Sequence, residues 1–245
     1  MKTPVRIAVL GLVRGAVTLA APASHHVAVV MRLRVGDTFV AFDPKGGVEA
    51  QGRIIGVVRG VVQAELSEPT PARVVAPLPV TWIQGLAKGE KMDAIVRDAT
   101  ELGATRVVPA VTAFSVVRLE GPRAIARKAR WEKIAEEAAR QCGRADPPAM
   151  DAPCSWREAL HVAESAEARF CLYERATEPL GPLLSKALAR GASLAFAVGP
   201  EGGLDESEVD AARAAGFAVV SLGDLILRTE TVAAAVLGAV RVFAP

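Results

Sequence analysis

Two hydrophobic rhythms divide the chain. Over the first 66 residues, apolar positions come in short valine-rich runs broken by glycine. Strands are predicted at Val5–Leu10, Ala16–Leu19, Asp37–Phe42, Val48–Val57 and Val61–Leu66, with a turn signal at Asp43-Pro44-Lys45-Gly46-Gly47. One helical segment, His25–Arg34, interrupts them. Short strands joined by tight turns predict a small β-barrel. From residue 80 onward, apolar runs alternate with helical faces. Strands are predicted at Val80–Gln84, Arg106–Pro109, Arg169–Tyr173, Ser193–Val198 and Ala218–Leu222. Helices are predicted at Lys88–Leu102, Arg123–Arg140, Trp156–Ser165, Pro182–Arg190, Asp205–Ala215 and Thr229–Phe243. Met92, Ile95, Val96 and Ala99 make one face of the first helix, and Trp131, Ile134, Ala135 and Ala138 one face of the second. Ser193–Val198 is apolar throughout, as a strand buried on both faces must be. The alternation predicts an α/β domain with a mostly parallel sheet. The last helix is apolar nearly all round and calls for burial on several sides, within its domain or between subunits.

Proline marks the joint between the two rhythms. Ser67-Glu68-Pro69-Thr70-Pro71 and the following Pro77 and Pro79 cannot continue a strand or helix, which places a boundary near residue 72 and domains at 1–71 and 72–245. With 51% hydrophobic and 23% charged residues among 245, the chain is globular and not disordered. Cys142, Cys154 and Cys171 form no CxxC and no Cys/His pair at zinc spacing. No disulfide framework and no metal site are expected, and a reducing cytosol is favoured. The net charge is only +2, but residues 1–75 carry nine Lys and Arg against five Asp and Glu. Arg118–Arg144 carries eight against four. Such runs are most often solvated surface, and they also suit a polyanion partner. Lys2, the apolar stretch Ile7–Val13 and Ala21-Pro22-Ala23 imitate a signal peptide. Arg6 and Arg14 break that pattern, and no run reaches the ~18 apolar residues of a membrane span. The expectation is a soluble, uncleaved, cytoplasmic protein.

Candidate chemistry concentrates in two segments. Val198-Gly199-Pro200-Glu201-Gly202-Gly203-Leu204-Asp205 lies where a buried strand hands over to a helix, the usual ligand position in open α/β folds. Asp205 and Glu208 have capping-box spacing, and Leu204 with Val209 has that of a hydrophobic staple. The glycines suit either a tight turn or close backbone approach to a ligand. No GxGxxG and no GxxxxGK[ST] occurs, so a dinucleotide site or P-loop has no support. The second segment is Ser221-Leu222-Gly223-Asp224-Leu225-Ile226-Leu227-Arg228-Thr229-Glu230-Thr231. Its loop leucines and isoleucine could wall a flat apolar ligand. Arg228, Thr229 and Glu230 bring a cation, a hydroxyl and a carboxylate to one helix start; on these residues alone a structural Arg228–Glu230 ion pair with Thr229 or Thr231 as helix cap is slightly favoured. His25, His26 and His161 complete no recognisable triad.

These segments resemble the RsmE family, SPOUT-class methyltransferases that act on N3 of a uridine in 16S ribosomal RNA. The resemblance rests on Gly199-Pro200-Glu201-Gly202-Gly203, Ser221-Leu222-Gly223 and Ile226 through Thr231. In order before these come Lys88-Gly89-Glu90-Lys91-Met92, Thr100-Glu101-Leu102-Gly103, and Arg130-Trp131 through Gln141-Cys142-Gly143-Arg144. Arg32-Leu33-Arg34-Val35-Gly36-Asp37 is similar to that family's PUA-like barrel. The resemblance implies an α/β SPOUT domain with a parallel sheet and a deep trefoil knot, a PUA-like barrel before it, and a homodimer built on the knot region. It implies S-adenosylmethionine (SAM) as cofactor, held by Gly199, Glu201, Gly202, Gly203, Leu222, Gly223, Ile226, Leu227 and Arg228. Asp224, Leu225 and Val232 depart from the pattern, in which a basic residue precedes Ile-Leu-Arg and alanine follows Thr-Glu-Thr. For catalysis, Arg228 is expected to stabilise the uridinate and Glu230 to accept or orient its proton. The RNA partner, small-subunit ribosomal RNA, is expected on Arg32, Arg34, Arg118, Arg123, Arg127, Arg130 and Arg144. A SPOUT enzyme for another RNA and a non-catalytic RNA-binding module remain the alternatives.

Overall fold

Period-two patterning becomes a sheet at the N-terminus of the computed structural model, which describes residues 5–72, 76–115 and 121–244. The strands are β1 (Arg6–Ala8), β2 (Gly15–Thr18), β3 (Thr38–Asp43), β4 (Val48–Val58), β5 (Val61–Leu66) and β6 (Thr70–Pro71). Their order is β1-β3-β4-β5-β2, with β6 against β4; β1 and β3 pair parallel and the others antiparallel. In β5, Val62, Ala64 and Leu66 point inward while Val61, Gln63 and Glu65 face out. The inward residues join Ile7, Phe39, Ala41 and Ile54 in one core. Arg6 fits its strand because Glu49 pairs with its guanidinium at 3.0 Å and the Phe42 ring lies 5.1 Å beneath it.

The helix expected at His25–Arg34 starts and ends earlier. Helix α1 spans Ala21–His25 and continues as a π-helical turn over His26–Val30. Pro22 in the first turn is already set for a helix. Ser24 is buried, donating to the Leu19 carbonyl and accepting the Val62 N–H. The β-branched Val27, Val29 and Val30 crowd an α-helix, and the turn closes with the Met31 N–H on the His26 carbonyl. Arg32 then takes a left-handed conformation (φ 53°), which stops the helix short of Arg34.

The chain groups into two units, Met1–Val75 with Glu136–Pro147, and Ala76–Ala135 with Pro148–Pro245. The second holds β7 (Val80–Gly85), α2 (Lys91–Glu101), β8 (Arg106–Val111), most of α3 (Gly121–Cys142), β9 (Ala149–Met150), β10 (Cys154–Ser155) and α4 (Trp156–Val162). It continues with β11 (Ala168–Leu172), α5 (Leu180–Leu188), β12 (Leu194–Val198), α6 (Glu206–Ala214), β13 (Ala218–Val220) and α7 (Thr229–Phe243). From Glu136 on, α3 groups with the first unit, a segment that a single cut near residue 72 leaves out. The sheet runs β10-β8-β7-β12-β11-β13, with β9 against β8, and these pairings are parallel. Alternation along β12 sends Leu194, Phe196 and Val198 to one face and Ala195 and Ala197 to the other. Met92, Ile95, Trp131, Leu184 and Val236 cover the first face; Trp156, Leu160, Val209 and Ala212 cover the second. Phe196 sits between Trp82 and Phe170, with ring centroids 5.8 and 5.5 Å away. Helix α2 begins at Lys91 and not at Lys88, because Gly89 adopts φ 59°. Among the described residues, no helix is long and apolar enough to cross a membrane.

Candidate active site

Register levels four strand ends. The pairings set Gln84 of β7 beside Val198 of β12, Val198 beside Leu172 of β11, and Leu172 beside Val220 of β13. Loops leaving these carboxyl ends enclose a cavity of about 760 Å³. That lies in the range of roughly 300–1,000 Å³ common for small-molecule sites.

The loop after β12 is fixed from several directions. Gln84 is fully buried, and its amide donates to the Gly199 carbonyl at 3.2 Å and to Thr229 Oγ1 at 2.9 Å. Thr229 in turn donates to the same Gly199 carbonyl at 2.8 Å, and Trp82 Nε1 donates to Gln84 Oε1. One carbonyl thus ties together β7, the β12 loop and the first residue of α7. Glycine is required by closeness here. A Cβ on Gly85 would stand 2.6 Å from the Pro200 ring, and one on Gly199 would stand 2.8 Å from the Gly203 backbone. The capping box is present: Asp205 accepts the Ser207 N–H, and Glu208 Oε2 accepts the Asp205 N–H at 2.9 Å. Glu208 Oε1 also takes the Ala113 N–H at 2.7 Å. Leu204 and Val209 are both buried in one core cluster, as a staple requires.

The loop after β13 is built differently. Leu225 and Ile226 are 79% and 83% exposed, Leu222 is partly exposed, and Leu227 packs against the core. All nine residues expected to hold a cofactor line the cavity: Gly199, Glu201, Gly202 and Gly203 from the first loop, and Leu222, Gly223, Ile226, Leu227 and Arg228 from the second. Asp224 and Leu225 line it too. Arg228 is exposed and precedes α7 as its N-cap residue, with no side-chain cap bond. The structural ion pair considered between Arg228 and Glu230 does not form; Glu230 pairs instead with Lys91 at 3.7 Å.

Lys91 and Glu174 line the cavity and were not singled out as individual site residues from sequence. Lys91 Nζ is 3.2 Å from Glu201 Oε1, which also accepts the Lys88 N–H at 3.0 Å. Burial works to raise the Glu201 pKa. Hydrogen bonds from its own N–H, the Lys88 N–H and the Lys91 ammonium outweigh it and hold the carboxyl below its ordinary value. Burial pushes the Cys154 thiol up to about 11 and Cys171 up to about 12, so neither offers a thiolate at neutral pH.

The arginines expected to meet RNA are dispersed. Arg32 and Arg34 are exposed in the first unit. Arg123 is exposed and Arg127 half-buried on α3. Arg130 is exposed but grips Asp93 through two nitrogens at 3.0 and 2.6 Å, and Trp131 donates to the same carboxylate. Asp93 thereby holds the Arg130 pKa above its usual value. Arg118 lies outside the described residues. Arg144 is a correction: its side chain is 2% exposed and is held by the Asp146 carboxylate and carbonyl at 2.7–3.1 Å. It is a buried structural cation, not a surface contact for phosphate.

Comparison with known proteins supplies a frame for this geometry. Residues 75–241 match the model of an RNA methyltransferase domain, and residues 19–67 that of an RNA methyltransferase PUA domain. Ribosomal RNA small subunit methyltransferase E of Bacillus subtilis is 34% identical over 212 residues, covering 84% of this chain and 82% of the relative. The protein of that name from Mycobacterium tuberculosis is 36% identical over 226 residues, covering 89% and 82%. Among solved structures, a ribosomal RNA small subunit methyltransferase E from Neisseria gonorrhoeae bound to S-adenosyl methionine superposes with a TM-score of 0.86 at 30% identity. It covers 98% of both chains. A putative methyltransferase from Legionella pneumophila, in complex with SAM, gives 0.86 at 26% identity, again over 98% of both.

Proposed function

The chain belongs to the ribosomal RNA small subunit methyltransferase E family of RNA methyltransferases, and on that premise we propose that it moves a methyl group from SAM to N3 of a uridine in 16S ribosomal RNA. The observation that carries the reading is the meeting of the Gly199–Gly203 and Leu222–Arg228 loops on one cavity. Its chemistry fits SAM. Leu222, Leu225 and Ile226 offer apolar wall for a flat ring, and Glu174, Glu201 and Asp224 offer carboxylates to the sulfonium and ammonium of the ligand. When bound, SAM supplies an electrophilic methyl group on a sulfonium.

The chain's own residues do the rest. Uridine N3 carries a proton at neutral pH and is a poor nucleophile until it is lost. Arg228, free of any ion pair among the described residues, is the cation for the developing uridinate, and Glu230 takes the proton. The loop fixed by Gln84 and Thr229 supplies positioning, which is a large part of any in-line transfer. Arg32, Arg34, Arg123, Arg127 and Arg130 are the phosphate contacts, setting register without reading sequence.

The finer architecture belongs to the same proposal. The Thr229 hydroxyl on the Gly199 carbonyl, 30 residues away, supports a trefoil knot closed by α7. The β1-β3-β4-β5-β2 sheet supports a PUA-like barrel and a domain division near residue 72. The exposed Val242 and Phe243 on α7 support a homodimer through this helix. A cytoplasmic site of action follows from a ribosomal substrate.

The test offers methyl-labelled SAM with small ribosomal subunits from cells lacking the modification, and with naked 16S RNA in parallel. Label recovered as 3-methyluridine on either is the expected outcome, and the better acceptor places the step in subunit assembly. Label on another RNA alone would replace the substrate. Absence of both label and SAM binding would leave only an RNA-binding module.

A further inference from the structure

Lys91 stands where a helix least favours it. It is the first residue of α2, whose N-terminus carries the positive end of the helix dipole. Its ammonium compensates by reaching two carboxylates from separate segments, Glu201 of the β12 loop at 3.2 Å and Glu230 of α7 at 3.7 Å. Those carboxylates are not equally held. Glu201 keeps two backbone hydrogen bonds that do not involve Lys91's ammonium, from its own N–H and from Lys88. Glu230 Oε2 is buried and has no hydrogen-bond partner, which leaves the Lys91 ammonium as its ion-pair partner among the described residues. An unpartnered buried carboxylate oxygen is costly, and such groups persist where they have work to do.

We infer that Lys91 is a positioning residue for methyl transfer: anchored on Glu201 at the cavity wall, its ammonium fixes the carboxylate of Glu230, a residue that follows the lining residue Thr229 and is not itself among those lining the cavity. The inference rests on the proposed role of Glu230 as proton acceptor. It differs from a cofactor-binding role for Lys91, because without the ammonium Glu201 loses one tie and stays on its two backbone donors, whereas Glu230 loses its ion pair.

Lys91→Met and Lys91→Arg, alone and with Glu230→Gln, test the inference. Three quantities are read: SAM affinity by calorimetry, kcat and KM on the ribosomal acceptor, and the carbon-13 carboxyl resonance of Glu230, assigned by its loss in Glu230→Gln. Lys91→Met should leave SAM affinity within about 3-fold while lowering kcat by about 10-fold or more. It should move the Glu230 resonance, and Lys91→Arg should restore most of both. In the Glu230→Gln background, Lys91→Met should add almost no further loss, since the two residues act as a unit. SAM affinity falling in step with kcat would overturn the inference by placing Lys91's effect on Glu201. Fully additive losses, or an unmoved Glu230 resonance, would overturn it as well. A wild-type protein that methylates no ribosomal RNA would overturn the proposed function, and the resonance, which needs no turnover, would still decide the Lys91–Glu230 contact.

Discussion

The two loops that meet at the cavity are held in opposite ways. The Gly199–Gly203 loop has its carbonyl bonded by Gln84 and Thr229, its glycines pressed against backbone, and a capping box and staple at its end. The loop after β13 spends its length on exposed leucine and isoleucine, with Leu227 packed inward. Water is a poor solvent for such side chains, so this loop presents apolar surface that a ligand or a partner could cover. The difference teaches that one wall of this site is fixed by folding, while the other keeps apolar surface that contacts within the chain do not cover.

The sharpest way to break that contrast is to crowd the first loop. Gly199→Ala puts a methyl 2.8 Å from the Gly203 backbone, a contact that backbone must yield to. The expected cost is about 1–3 kcal/mol of stability, with SAM binding lost to calorimetry. A variant with the wild-type melting point and affinity would show that the loop is not fixed as described. Gln84→Leu is next in size. It strips Trp82 Nε1 of its acceptor and Gly199 and Thr229 of a donor inside the core. The Trp82 N–H is then left without its acceptor, while the Gly199 carbonyl and the Thr229 hydroxyl still bond each other, so denaturant unfolding should show a loss of about 1–3 kcal/mol. Leu225→Ser with Ile226→Ser attacks the other wall. Both side chains are already in water, so stability should change by less than about 0.5 kcal/mol. SAM affinity should fall by about 10-fold, the worth of roughly 55 Å² of apolar surface no longer covered on binding. If the melting point falls and affinity does not, the two loops have been assigned to the wrong roles.

Much of this was visible in the residues, and what was missed has a common cause. The β5 alternation, the all-apolar β12 and the Asp205–Glu208 box are local patterns, and each appears where the spacing put it. Gln84 carries no such pattern; a single amide at a strand end reads as the place where the strand reaches water, yet it is fully buried. Lys91 reads as a solvated helix position because its partners lie 110 and 139 residues along the chain. Arg144 reads as basic surface because its partner Asp146, two residues on, lies outside the i,i+3 and i,i+4 spacings of a helical ion pair. The two-residue strands β9 and β10 fall among Pro147, Pro148 and Pro153, and only pairing with β8 makes them strands. In each case the deciding contact is long in sequence or has no period, and periodicity is the signal that sequence offers.

The smallest effect concerns the charged tie between Glu201 of the first loop and Lys91. In the folded protein Glu201 holds its proton less tightly than an ordinary glutamate, because backbone donors and Lys91 favour the carboxylate over the opposing effect of burial. A carboxyl with a depressed folded pKa adds stability above its unfolded value of about 4.3 and loses it as the pH falls through the folded value. Glu201→Gln should therefore be less stable than the parent at neutral pH, by no more than about 1 kcal/mol for a tie this exposed to solvent. The gap should close at acid pH, where the parent's carboxyl is protonated as well. Asp43, Asp205, Glu158 and Glu167 are depressed in the same direction, but both proteins carry them and their effects cancel in the difference. Denaturant unfolding of the pair between pH 7 and the acid range reads the gap directly. A gap that stays constant across that range would mean that the loop is fixed by Gln84, Thr229 and its cap alone, with no electrostatic contribution from Glu201.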